Sequence, residues 1–140
     1  MTETTETVDL WGDIVTEPVR TPLTILKEQG ALLERKTNGV LTTEVRSSSG
    51  QQSNSIRHSF MIKASSLNYA YMLFSLEYNL ASPFPVNFIE FEPVGTGAFT
   101  KSNEKVAKNE GEFLELLKKI FQSPDTQRII ATLLTQSAAV

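Results

Sequence analysis

The chain has 140 residues, of which 13 are Lys or Arg, 16 are Asp or Glu, one is His and none is Cys. This length fits one domain of ordinary size, and a hydrophobic content of 40% is typical of a globular protein. Without Cys and with a single His, the sequence excludes disulfide frameworks, thiolate metal sites and multi-histidine metal sites. The formal net charge of -3 argues against nucleic acid as a general partner.

The first 20 residues form an acidic leader. They carry five acidic residues against Arg20, a net charge of -4, whereas residues 21–140 carry 12 basic and 11 acidic groups. We expect residues 1–7 to be disordered. The leader lacks the basic and apolar regions of a secretory signal, and no apolar run is long enough to span a membrane, so we expect a cytoplasmic protein without membrane contacts. Trp11 either packs back onto the domain or belongs to a short docking motif for another protein.

Helical periodicity begins directly after the leader. Thr21 followed by Pro22 is typical of a helix start, and apolar residues then recur at helical spacing through residues 22–37. Gly30 falls on the apolar stripe of this helix, which indicates a close approach to the element beneath it.

Strand periodicity follows. Alternating apolar and polar residues predict strands at 41–46, 56–64, 69–78 and 86–92, with a flexible polar loop at 47–54. Because the connections are short, neighbouring strands should pair antiparallel in a meander.

The C-terminal third returns to helical spacing. Residues 105–108 predict a short edge strand blunted by lysines. Asn109 followed by Glu112 is a capping box, and Ser123 followed by Pro124 starts a second helix. We therefore predict a single α+β domain over residues 21–140. It has an N-terminal helix, a four- to five-stranded antiparallel meander sheet and two C-terminal helices packed on one face of the sheet.

His58 and Glu77 are the side chains with the greatest chemical potential. His58 is in phase with Phe60 and Ile62, so it should point to the apolar face, where Thr43 would lie opposite it and satisfy a ring nitrogen. No motif supplies a nucleophile and an orienting carboxylate, so we predict no catalytic residue, no metal site and no cofactor.

The outer face of the sheet carries an unusual number of aromatic residues. Turning Ile89 inward turns Phe88 outward, where it joins side chains from two other strands. Such residues are enriched at protein interfaces. The predicted binding candidates are therefore Tyr69, Tyr71, Leu73, Phe88 and Met61, together with Trp11 in the leader.

These patterns favour a non-enzymatic protein–protein interaction module, an adaptor or chaperone-like domain, that acts through the outer sheet face. Its partner would be another protein or a second copy, and a symmetric homodimer is the simplest arrangement. The length, acidity and layout are similar to those of small bacterial secretion-chaperone domains, but no motif accompanies the likeness and it transfers no residue roles. The alternative is a small-ligand-binding domain or weak enzyme with a site between the sheet and residues 93–108, using Tyr71, His58 or Glu77.

Overall fold

The computed structural model of the protein describes residues 7–15, 19–91 and 105–140. Apart from a one-turn 3-10 helix at Ser65–Leu67, these ranges hold three α-helices and five strands, which follow one another as α1 (Pro22–Lys36), β1 (Leu41–Ser49), β2 (Ser55–Ala64), β3 (Tyr69–Asn79), β4 (Ser82–Phe91), β5 (Lys105–Ala107), α2 (Glu110–Phe121) and α3 (Pro124–Ala139). None of the helices in this part of the chain has the length and apolar character needed to cross a bilayer.

The strands form one antiparallel sheet in the order β1–β2–β3–β4–β5, so neighbours in sequence are also neighbours in space. The predicted α+β class with an antiparallel sheet is confirmed. The short strand expected near residues 105–108 is present as β5, which pairs with β4 at one edge. The prediction of disorder for residues 1–7 falls, except for Thr7, outside the described residues.

Each helix begins at a polar residue whose side chain caps it. The side-chain oxygens of Thr21, Asn109 and Ser123 each accept a hydrogen bond from the backbone N–H three residues later. These bonds satisfy donors that the first helical turn leaves unpaired.

Helix α1 lies against β1 at Gly30. This glycine is buried, and a Cβ atom in its place would overlap Thr43 Oγ1 on β1. The close approach explains why a residue that weakens a helix by about 1 kcal/mol relative to Ala stands in mid-helix.

An aromatic cluster forms the centre of the core. Phe74 on β3 is fully buried, and the centroid of its ring lies 5.3 Å from that of Phe60, 5.4 Å from that of Phe88 and 6.2 Å from that of Phe121. Phe113 on α2 contacts Phe88 in turn, with ring centroids 5.6 Å apart. The cluster therefore joins β2, β3 and β4 to α2.

The β1–β2 hairpin is longer than the sequence predicts. Residues 47–54 were expected to form a loop, but β1 continues to Ser49. As a result Ser47, and not Thr43, lies opposite His58. The polar run does not end the strand because β1 is an edge strand whose side chains can meet water.

Two bulges change which side chains face the core. On β3, Phe74 pairs with Phe60, but Met72 pairs with the next residue of β2, Met61, so Leu73 is an extra residue. One extra residue exchanges the two faces of the strand beyond it. The expectation that Leu73 lies on the outer face is therefore wrong, since it is 6% exposed and belongs to the core.

The second bulge lies on β4. Ser75 of β3 pairs with Glu90, but the next residue, Leu76, pairs with Phe88, so Ile89 is the extra residue. Phe88 consequently shares the inner face with Leu76 and is 1% exposed. Its predicted position on the outer face is wrong for the same physical reason.

Candidate functional site

His58 lies at the centre of a buried hydrogen-bonded chain. Its side chain is fully buried, with Nδ1 2.8 Å from Ser47 Oγ and Nε2 2.8 Å from the Tyr78 hydroxyl. The Tyr78 oxygen also has a hydrogen bond with the backbone of Leu23, in the first turn of α1. The chain therefore connects β1, β2 and β3 to α1.

Both nitrogens of the neutral imidazole are satisfied in either tautomer. The Ser47 and Tyr78 hydroxyls can each donate or accept a hydrogen bond, so the arrangement does not fix which ring nitrogen carries the proton.

The stability of the protein should depend on the charge state of His58. Burial, and secondarily the charge of Lys27, lowers the pKa of His58 below its ordinary value. Because the unfolded chain keeps a pKa of about 6.5, it binds more protons than the folded chain in mild acid. The contribution of His58 to the free energy of unfolding should therefore be fully present above about pH 6.5. Below that pH the free energy of unfolding should fall, by up to about 1.4 kcal/mol per pH unit.

Urea denaturation at about pH 7.5, 6.5 and 5.5 measures this dependence. His58→Gln keeps a polar side chain but removes the titrating group, so the variant should lose this part of the slope. Equal slopes for the wild type and His58→Gln would contradict the prediction.

Glu77 lies on the face of the sheet opposite to His58. Leu76, the partner of His58 on β3, faces the core, and successive strand residues alternate. The Glu77 carboxylate accepts hydrogen bonds from Arg57 at 3.1 and 2.8 Å and from the backbone N–H of Gln51 at 3.1 Å. Glu77 is 8% exposed, and its hydrogen bond with Gln51 holds the β1–β2 connection against β3.

The structure does not bring His58 and Glu77 into one site. The segment that would complete the alternative ligand site falls largely outside the described residues, since only residues 105–108 of 93–108 are described. Within the described ranges, no group of three or more His, Asp or Glu side chains is placed to hold a metal ion.

The outer face of the sheet, away from the helices, carries several polar pairs among its described side chains. Glu44 forms ion pairs with Arg46 at 2.9 Å and with Lys63 at 3.2 Å, and the hydroxyls of Ser59 and Ser75 are 3.0 Å apart. The aromatic patch that the sequence predicts on this face does not form.

The predicted binding candidates are spread over different environments. Leu73 and Phe88 belong to the core, and Tyr71 is partly buried against it. Met61 is buried at 8% exposure but stands outside the core cluster, whereas Tyr69 is 47% exposed. These side chains do not make up one accessible surface.

A groove separates α1 from α2 and α3. It encloses about 530 Å³, and its floor includes Phe60 and Ile62 of β2. Leu33 of α1, Leu117 of α2 and Ile130 of α3 contribute to its walls. Its volume falls within the range of about 300–1,000 Å³ that is usual for ligand-binding clefts.

The rim of the groove is polar and basic. Among the described residues that line it, the charged ones are Lys36 on α1 and Lys118 on α2, which stand on opposite walls. Amide side chains are also present, at Gln29, Gln122 and Gln127. The groove therefore combines an apolar interior with two positively charged lysine side chains at its rim.

Sequence reasoning missed this groove because its apolar residues belong to stripes that it assigns to the core. A weak signal was present in the number of leucines on these helices. Leu32 and Leu114 both line the groove and both remain 38% exposed.

Comparison with known proteins adds no functional information. No protein-family model, curated protein or solved structure matches the chain. The groove is therefore the site from which a function can be argued.

Proposed function

We propose that this protein is a non-enzymatic protein–protein interaction module, an adaptor or chaperone-like domain, that binds an acidic amphipathic segment of its partner. The binding site is the groove between α1 and the α2–α3 pair. The observation that carries the proposal is the apolar floor beneath a lysine-bearing rim. A cytoplasmic location, expected from the sequence, is part of the same proposal.

The interior of the groove supports an apolar occupant. Leu32 of α1 and Leu114 of α2 line it and are each 38% exposed, whereas Phe60 and Ile62 are already buried at its floor. Covering the two leucines with apolar side chains removes surface from water on both partners, at about 25 cal/mol per Å². An amphipathic helix achieves this by presenting anchors at i, i+3 or i+4, and i+7 along one face.

The rim supports an acidic occupant. Lys36 and Lys118 stand on opposite walls, so a helix lying along the groove would need carboxylates on both of its edges. Complementary charge at a rim steers association and discriminates against basic segments.

Two synthetic peptides test this proposal. Each is a helix of about 16 residues with Leu and Trp on one face, and the other face carries Glu in one peptide and Lys in the second. Fluorescence anisotropy of the labelled peptides should show binding of the acidic peptide to the full chain, with a Kd on the order of 10 µM. The basic peptide should bind at least about tenfold more weakly.

A matched pair of variants locates the binding. Lys36→Glu with Lys118→Glu reverses the charge of the rim, whereas Arg35→Glu with Lys119→Glu makes the same charge change in the same helical turns outside the groove. The first variant should weaken the acidic peptide about tenfold, and the second should leave it nearly unchanged. Equal effects of both, or no preference between the peptides, would refute the proposed function.

A further inference from the structure

The leader holds an apolar cluster that the described residues of the body do not cover. Leu10, Trp11, Ile14 and Val15 are 88%, 81%, 66% and 80% exposed. Trp11, which could have packed onto the domain, lies in solvent, with its backbone N–H bonded to the Asp9 carboxylate at 2.9 Å. Large apolar side chains grouped in this way mark an interaction segment.

The leader leaves the body at one end of the groove. Arg20 pairs with Glu28 of α1 at 2.8 Å and with Glu110 of α2 at 3.2 Å. The groove begins at Gln29, directly after Glu28 on α1, and at Leu114, about one turn after Glu110 on α2. The ion pairs therefore anchor the root of the leader between the two walls of the groove.

The leader and the groove are complementary in chemistry. The leader has a net charge of -4 and carries apolar anchors, whereas the charged residues among the described lining are Lys36 and Lys118. Asp9 and Asp13 flank the anchors Leu10 and Trp11, and Asp13 directly precedes Ile14, so bound anchors would bring carboxylates to the lysines.

We propose that the leader of one copy occupies the groove of a second copy, and that the two copies exchange leaders around a two-fold axis. This proposal rests on the proposed function and names one occupant of the same groove. The ten residues from Trp11 to Arg20 can span up to about 30 Å, which is enough to reach a neighbouring copy.

A second copy is favoured because both surfaces are accessible within the part of a single chain that the structure describes. There the leader anchors are exposed, and Leu32 and Leu114 of the groove are each 38% exposed. A reciprocal exchange fills two grooves with two leaders and closes the assembly, so no open groove recruits a third copy. Once one leader is bound, the second contact is intramolecular, which makes two weak contacts into a stable dimer.

The single tryptophan supplies a direct test. Sedimentation equilibrium of the full chain between about 1 and 200 µM should show a monomer converting to a dimer. Over the same range the emission of Trp11 should shift to shorter wavelength, because its exposed indole becomes buried on association. Trp11 is the only tryptophan in the chain, so the signal reports the leader alone.

Three variants assign the contact. Leu10→Ser with Ile14→Ser removes leader anchors but keeps the reporter, and Lys36→Glu with Lys118→Glu reverses the rim. Both should weaken dimerisation at least about tenfold and abolish the emission shift. Arg35→Glu with Lys119→Glu should dimerise like the wild type. Circular dichroism confirms that each variant is folded.

The outcomes separate this proposal from the proposed function. A monomer at all concentrations that still binds the acidic peptide would overturn the exchange and leave the proposed function standing. A monomer whose Trp11 emission is already short in wavelength at every concentration would mean that the leader fills its own groove, which also overturns the exchange. A dimer that is insensitive to the leader and rim variants would place the contact elsewhere.

Discussion

Replacing Phe74 with Ala should lower the free energy of unfolding by about 3–5 kcal/mol. Phe74 is fully buried, and its ring contacts those of Phe60, Phe88 and Phe121. The substitution removes the transfer free energy of the aromatic ring and leaves a cavity among side chains from β2, β4 and α2, which cannot all collapse inward at once.

Urea denaturation followed by circular dichroism measures this loss as a lower midpoint with an unchanged m-value. Tyr69→Ala is the matched control, since it truncates an aromatic residue of the same strand that is 47% exposed. That variant should lose less than about 1 kcal/mol. A Phe74→Ala loss no larger than that of Tyr69→Ala would mean that the inner face of β3 has been wrongly assigned.

Replacing Phe88 with Ala should also destabilise the fold by about 3–5 kcal/mol. Its ring contacts Phe74 within the sheet and Phe113 on α2, and the residue is 1% exposed. The sequence pattern predicts a different result, in which Phe88 anchors a partner on the outer face. On that hypothesis the variant would keep its stability and lose association.

Measuring stability and mass on the same variant distinguishes these results. Urea denaturation gives the stability, and sedimentation equilibrium of the remaining folded protein gives the mass. Val106→Ala on the neighbouring strand β5 is the control, because Val106 is 44% exposed and its truncation should cost little. A stable Phe88→Ala variant with weakened self-association would contradict the assignment of Phe88 to the core.

Local chemistry in the sequence determined the elements and much of their order. The caps at Thr21, Asn109 and Ser123 act within three residues of themselves, so a sequence contains all that is needed to place these helix starts. His58 could likewise be placed on the inner face, because β2 alternates without interruption between it and Ile62. Its burial agrees with that placement.

The inner and outer residues of β3 and β4 were decided by strand pairing. The bulges at Leu73 and Ile89 place one extra residue in β3 against β2 and one in β4 against β3. The alternation of apolar and polar residues along one strand does not show where a bulge lies, because a bulge is defined by the pairing with the neighbouring strand. Beyond each bulge, the side chains that period-two counting assigns to the outer face point to the inner face instead. Leu73 and Phe88, which were predicted on an aromatic outer face, therefore belong to the core.

The groove depends wholly on tertiary structure. The leucines of α1 and α2 form apolar stripes in the sequence. Such a stripe predicts that one face of the helix will be covered, but it does not identify the element that covers it. Only the separation of α1 from α2 and α3 on the sheet decides that Leu32 and Leu114 remain partly exposed along one groove. The sequence by itself determined the charge and the apolar anchors of the leader, because those depend on residue identity alone. Whether a basic groove existed to receive them depended on how distant helices pack, and that is a property of the assembled fold.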